Sequence, residues 1–338
     1  MSAAESVPAR VLVREVGPRD GFQNEPETIA TPQKVELIEA LAGTGLARIE
    51  VTSFVRADRI PQLADAEQVL RLITVPAQVQ LSVLVPNERG LQRALELRER
   101  VHGERRADRA GGVPARPAFD AVAVFLSASE SHNRANVNRS VAESLTSLEA
   151  VIATARVESL HCEAVISTSF GCPYEGRVAP ERVLEIAARL REAGAAEVAL
   201  ADTTGMANPL QVGELFGAAR ERLARPGDGG PQLTAHFHNT RGQGLANVLA
   251  ALQAGVDSFE SSFGELGGCP VPAGATGNIA SEDLVVMLAE MGIETGIDAS
   301  ALIACARRAQ EILGRPLGSH TVVAGPVDWE PAPASQER

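Results

Sequence analysis

Lysine is almost missing from this 338-residue sequence: Lys34 is the only one, and arginine carries the remaining basic charge. No mechanism requires that imbalance, and we read it as a genomic composition bias. Basic charge as a whole is in deficit, with 31 Lys and Arg against 43 Asp and Glu and a formal net charge of -12. That balance argues against a surface built for nucleic acid or anionic membrane, so a small anionic ligand would need its own local basic residues. No uninterrupted apolar run reaches the roughly 18 residues of a membrane span, and residues 1–10 lack the apolar core of a secretory signal. A soluble, cytoplasmic protein with no nucleic-acid or membrane partner is expected. Cysteine is sparse too. Cys162, Cys172, Cys269 and Cys305 fall at wide, irregular intervals with no C-x-x-C pair, which excludes a zinc cluster or a disulfide framework. A cysteine with a role therefore acts as a thiol.

What is present is alternation. Apolar, β-branched runs at Val11 to Val16, Leu46 to Thr52, Val79 to Val85, Phe119 to Phe125, His161 to Ser167, Glu197 to Ala201, Gln232 to His238 and Ser258 to Phe263 predict eight strands. Amphipathic patterns at about 32–44, 61–73, 87–101, 140–157, 180–193, 208–224, 242–254 and 281–291 predict eight helices. Thr31-Pro32 and Asn208-Pro209 read as helix starts, and Gly45, Gly194, Gly255 and Gly292 as stops. Eight strands alternating with eight helices predict an α/β fold, a (β/α)8 TIM barrel over residues 11–313, with an additional C-terminal helix at about 298–314. Residues 1–10 read as an N-terminal extension, 103–117 as a Gly-, Pro- and Arg-rich surface insertion, and 314–338 as a C-terminal tail, disordered from Val327.

The active site of such a barrel lies at the C-terminal ends of its strands, and polar residues concentrate there. After strand one, E-V-G-P-R-D-G-F-Q-N-E carries Arg19, Asp20 and Gln23 on one loop; strand two contains Glu50, strand six ends in Asp202 and Thr203, and strand seven carries H-F-H. Strand side chains alternate faces, so His236 and His238 point the same way. Two imidazoles on one face can share a metal; alone they also fit a hydrogen-bonded pair at a barrel rim. Asp20 offers an anionic third ligand and Asn278 a carbonyl fourth, and strands one, seven and eight become neighbours when the barrel closes. Two nitrogens with two oxygens suit Mg²⁺ or Mn²⁺, while a two-histidine, one-carboxylate set could also hold Fe(II), which keeps an oxygenase open. The loop E-L-G-G-C-P-V-P-A-G-A-T-G-N, residues 265–278, is rich in glycine as suits a lid. Cys269 within it is either a small packing residue or a mobile proton donor. Cys172 and Tyr174, in G-C-P-Y-E-G after strand five, fit packing or a rim loop equally.

Taken together, E-V-G-P-R-D-G-F-Q-N-E at 15–25, I-E-V-T-S-F-V at 49–55, G-C-P-Y-E-G at 171–176, D-T-T-G at 202–205, H-F-H at 236–238 and L-G-G-C-P through G-N-x-A-S-E-D at 266–283 resemble the 3-hydroxy-3-methylglutaryl-CoA lyases, a branch of the metal-dependent barrel lyases and Claisen synthases. The resemblance covers residues 11 to 313. It implies a divalent cation held by Asp20, His236, His238 and Asn278, and Arg19 as the cation that stabilises an enolate. Asp202 or a metal-bound group such as His236 would take the substrate's hydroxyl proton, Glu50 would orient the site, and Cys269 would be the acid. Gln23 and Thr203 would face substrate. Asn136 and Ser140 fall in a segment similar to the family's CoA-contacting loop, with Arg134 as a phosphate partner. An acyl-CoA substrate, a homodimer and a place in leucine degradation are implied in the same way. The chain departs from the family pattern at Pro26 (usually lysine), at Cys269-Pro270-Val271-Pro272 (usually C-P-Y-A), at Asn239 (usually aspartate) and in the 103–117 insertion. None removes a ligand, so the departures bear on the acyl group: citramalyl-CoA or a longer branched 3-hydroxyglutaryl-CoA is the alternative substrate, and a Claisen synthase on a 2-oxo acid the alternative class.

Overall fold

The computed structural model describes residues 7–107, 116–224, 231–268 and 277–329. Eight parallel strands close into one barrel in sequence order: β1 (Leu12–Glu15), β2 (Arg48–Ser53), β3 (Gln80–Leu84), β4 (Ala121–Ser127), β5 (His161–Ser167), β6 (Glu197–Asp202), β7 (Gln232–Phe237) and β8 (Ser258–Ser261). Closure pairs β1 with β8 as well as with β2. Around them run α1 (Thr31–Ala42), α2 (Ala66–Leu72), α3 (Glu88–Ala107), α4 (Glu130–Val137), α5 (Val141–Val157), α6 (Pro180–Ala193), α7 (Pro209–Leu223), α8 (Gly244–Gln253), α9 (Ser281–Glu290), α10 (Ala299–Leu313) and α11 (His320–Ala324). The (β/α)8 expectation is met, and α10 is the expected extra helix. No helix of the described residues is long and apolar enough to cross a membrane.

The apolar core lies between strands and helices; the lumen of the barrel is charged. Arg14 on β1 reaches across to Glu163 on β5 and Glu197 on β6, strands that are not its neighbours, so these side chains meet inside the barrel. Arg48 on β2 forks onto Glu197 at 2.6 and 3.0 Å. Alternation then fixes the outward side chains: Val13, Ile49, Val51, Phe237 and Phe259 are buried in the apolar cluster.

Three expectations are corrected. Residues 103–107 of the segment expected as an insertion are helical, because α3 runs on to Ala107: Leu91, Ala94, Leu97 and Val101 keep a buried stripe at helical spacing, and Arg105 bonds the Leu70 and Ile73 carbonyls. Residues 108–115 lie outside the described residues. The predicted tail contains α11: the Ser319 hydroxyl accepts from Val322 N–H, and Asp283 accepts from the Ser319 hydroxyl and from the His320 and Thr321 N–H groups. The third is α4, unforeseen because its buried face is polar. Its residue Asn133 accepts from Ser127 N–H and donates to the Arg139 carbonyl, contacts that leave no apolar periodicity to read.

Candidate active site

The loop after β1 opens with a single π-type turn, Gly17–Gly21. Gly17 has no room for a side chain: a Cβ there would lie 2.5 Å from the Phe263 ring and 2.7 Å from Glu15 Oε1. Glu15, buried between barrel and helices, accepts from Gly17 N–H at 2.6 Å and Phe263 N–H at 3.0 Å, and so ties this turn to the end of β8. The turn delivers Arg19 and Asp20 side by side. Arg19 donates through Nε to Glu50 Oε2 at 2.6 Å and through Nη1 to Asp20 Oδ1 at 2.8 Å. Asp20 Oδ1 also accepts from Gln23 Nε2, and Asp20 Oδ2 from Asn278 Nδ2 at 2.7 Å. The sequence-predicted Arg19, Asp20, Gln23, Glu50 and Asn278 are thus one connected group.

His236 and His238 join it. Their Nε2 atoms lie 3.1 Å apart, and one ligand atom from each of Asp20, His236 and His238 falls within 4.8 Å of the others. His238 follows the end of β7 and pairs in an isolated bridge with Asn278, which carries the fourth expected ligand alongside. Asn278 spends its amide donors on Asp20 and the Leu266 carbonyl, while its Oδ1 is buried without a partner. An orphaned carbonyl oxygen beside a carboxylate and two converging imidazole nitrogens suits a divalent cation with mixed N and O ligands.

The electrostatics agree with that donor set. Burial opposes ionisation of Asp20, yet Arg19, His236 and the hydrogen bond from Asn278 hold it below the usual carboxylate range. His238 is pushed down to about 3 by burial and by His236, so it stays a neutral imidazole. Burial likewise works against charge on His236, but Glu260 and Asp20 outweigh it and raise its pKa; the pocket favours positive charge there. Burial, reinforced by like charge from Glu260 and Glu163, pushes Glu50 up to about 7 against the pull of Arg19.

The other predicted residues divide. Asp202 is fully buried at the end of β6, where its two oxygens accept from Met206 and Ala207 N–H at 2.8 and 3.0 Å; burial raises it to about 6. Thr203 Oγ1 accepts from Thr168 N–H. Asn136 lines a cavity of about 460 Å³ with Arg56, Arg59, Asn87 and Arg139. Arg59 and Arg139 make no ion pair among the described residues, which leaves this cavity basic. Ser140 is elsewhere engaged: it caps α5, exchanging hydrogen bonds with Glu143. Arg134 is paired with Glu130 at 2.8 Å. Cys172 is fully buried, with its sulfur accepting from Ser129 Oγ and Tyr174 N–H, a packing role. Cys269 lies outside the described residues. Asn239, where the family usually has aspartate, donates to Glu265 Oε1 at 2.9 Å and accepts from Gly244 N–H, so it knits the β7 and β8 loops together. Sequence reasoning missed Glu260, which stands 2.8 Å from His236 Nδ1. Strand alternation in S-F-E-S puts it in the lumen, but its partner depends on the register between β7 and β8.

This geometry has relatives. The family model described as HMGL-like matches residues 10–308. A hydroxymethylglutaryl-CoA lyase of Bacillus subtilis is 43% identical over 315 residues, 93% of this chain and 97% of that protein. An (R)-citramalyl-CoA lyase of Chloroflexus aurantiacus is 40% identical, covering 94% and 95%. The solved structure of an HMG-CoA lyase from Acinetobacter baumannii, in complex with coenzyme A and 3-methylmalate, superposes with a TM-score of 0.84 at 37% identity over 98% of this chain and 99% of that one. A match over most of the length, on a closed barrel with its polar residues gathered at the strand ends, places the chain in a family: it belongs to the HMGL-like family.

Proposed function

We propose that this chain is a carbon–carbon lyase that cleaves 3-hydroxy-3-methylglutaryl-CoA to acetyl-CoA and acetoacetate, with a divalent cation, Mg²⁺ or Mn²⁺, held by Asp20, His236, His238 and Asn278. The observation that carries the reading is the convergence of Asp20, His236 and His238 beside an arginine locked by two carboxylates. When bound, the cation would supply a Lewis acid for the substrate's hydroxyl and carboxylate oxygens and make that hydroxyl more acidic.

The chain's own groups account for the rest. Cleavage breaks the C2–C3 bond: the C3 hydroxyl loses its proton and becomes the ketone of acetoacetate, and the electron pair left on C2 spreads into the thioester as an enolate. Arg19 is a fixed, permanently charged donor; with Nε on Glu50 and Nη1 on Asp20, its Nη2 has no acceptor among the described residues and is free for the thioester oxygen. Asp202, ionised above about pH 6, is the candidate acceptor of the hydroxyl proton; His236, expected as the other candidate, would have one ring nitrogen on the cation and donates through the other to Glu260, which leaves it no lone pair for that proton. Cys269 is assigned as the acid that protonates C2, on the sequence resemblance. The basic cavity at Asn136, Arg59 and Arg139 suits the phosphates of the CoA arm.

The test is acetyl-CoA release from 3-hydroxy-3-methylglutaryl-CoA and from citramalyl-CoA, each with Mg²⁺, with Mn²⁺ and after chelation. Metal-dependent acetoacetate formation from the first supports the proposal. Activity on citramalyl-CoA alone keeps the chemistry and replaces the substrate, and no cleavage of either removes the lyase assignment.

A further inference from the structure

We infer that Glu260 is a positioning residue of the cation site: its carboxylate fixes the tautomer and ring orientation of His236, so that Nε2 is presented to the cation as a lone pair. The inference rests on the cation-binding reading above and adds to it a residue that touches neither substrate nor reacting atoms.

His236 and His238 converge through Nε2 at 3.1 Å. Both can serve as ligands through those atoms only if each ring carries its proton on Nδ1. An ionised carboxylate can only accept, so Glu260 Oε2, 2.8 Å from His236 Nδ1, requires the proton to be on that nitrogen. His238 Nδ1 is buried and has no partner. The protein therefore dictates the tautomer of one ligand and leaves the other to the cation, and losing Glu260 would remove the only such constraint among the described residues.

Glu260 is built to hold this place. It lies directly opposite His236 in the β7–β8 register and directly opposite Arg14 in the β1–β8 register. Two strand registers, rather than a loop, set its position, which favours accurate placement of a supporting group. It is buried, and it crowds Glu50 and Glu163 with like charge inside the barrel. A fourth carboxylate in a lumen that already holds Glu50, Glu163 and Glu197 is not something the apolar packing of the fold calls for.

The experiment uses the full chain as wild type, Glu260→Ala, Glu260→Gln and Glu260→Asp, stripped with chelator and titrated with Mn²⁺ while free ion is followed by electron paramagnetic resonance. Loss of such a supporting hydrogen bond weakens metal binding by about 10- to 100-fold. Glu260→Ala is expected to show that loss. Glu260→Gln, whose carbonyl still accepts from Nδ1–H, is expected to recover most of it, and Glu260→Asp, one methylene short, to fall between. If Glu260→Ala does not fold, the Gln and Asp variants carry the same comparison. Unchanged affinity in Glu260→Ala, or Glu260→Gln as weak as Glu260→Ala, overturns the inference while leaving the cation site standing. Failure of the wild type itself to bind Mn²⁺ overturns both.

Discussion

Replacing Arg19 by methionine separates charge stabilisation from cation binding. Methionine fills much of the arginine's volume but removes Nε from Glu50 and Nη1 from Asp20, along with the unengaged Nη2. Loss of one preorganised donor to a developing oxyanion costs about 10²- to 10³-fold in kcat. The fold has its own response. Breaking a buried ion pair costs about 3–5 kcal/mol when a charge is left uncompensated, but Glu50 already sits near 7 and without Arg19 rises further, so it takes up a proton instead of remaining a bare carboxylate. Asp20 keeps Gln23 and Asn278 as donors. A positive neighbour of the cation site disappears, so Mn²⁺ affinity should hold or tighten. The expected signature in steady-state acetyl-CoA release and calorimetric Mn²⁺ titration is therefore kcat down at least 100-fold, KM changed little and metal binding intact. A kcat within tenfold of wild type, with metal still bound, would refute enolate stabilisation by Arg19 and make it a binding residue.

Other variants probe other parts of the account. His236→Ala should lose both Mn²⁺ and turnover, whereas Cys269→Ala should lose turnover and keep the metal; full activity in the latter would end its role as the acid. Asp202→Asn sets an amide against two backbone donors, so it should destabilise the β6 loop by about 1–3 kcal/mol in urea unfolding; a kcat loss beyond about 100-fold in correctly folded protein would mark Asp202 as the proton acceptor. Burial pushes Glu282 up to about 8 from 4.5. The folded state therefore holds a proton that the unfolded state releases, so this contribution is complete below about pH 4.5 and is lost as pH rises to about 8, on the order of a few kcal/mol. Thermal melts of the metal-free protein at pH 5 and pH 8 should show that decline, and Glu282→Gln, which keeps a carbonyl for Gly264 N–H, should flatten it.

The barrel was legible because its strands are apolar runs bounded by glycine and proline, and each of the eight falls on an expected run. Their ends were less so. Strand eight was expected to reach Phe263, but the chain leaves the sheet after Ser261, where Glu15, far away in sequence, captures Phe263 N–H. The pairing of His236 with His238 was readable from strand parity, and the approach of Asp20 and Asn278 from the closure that makes strands one, seven and eight neighbours. Glu260 was not, since only the register between β7 and β8 sets it against His236. Ser140 and Arg134 were placed at the CoA arm by resemblance, and local physics engages them otherwise: serine before V-A-E is a capping box, and Arg134 stands one helical turn after Glu130. The short helix α11 was hidden because its anchor, Asp283, lies in α9 rather than nearby in sequence.

The central claim is that the Asp20, His236, His238 and Asn278 cluster binds a divalent cation that carbon–carbon cleavage requires. It is tested most directly by stripping the purified chain with chelator, measuring acetoacetate released from 3-hydroxy-3-methylglutaryl-CoA, and repeating the assay as Mn²⁺ is returned. The account predicts no turnover in the stripped protein and recovery that saturates at one bound ion per chain. Undiminished turnover after complete removal of metal would contradict it.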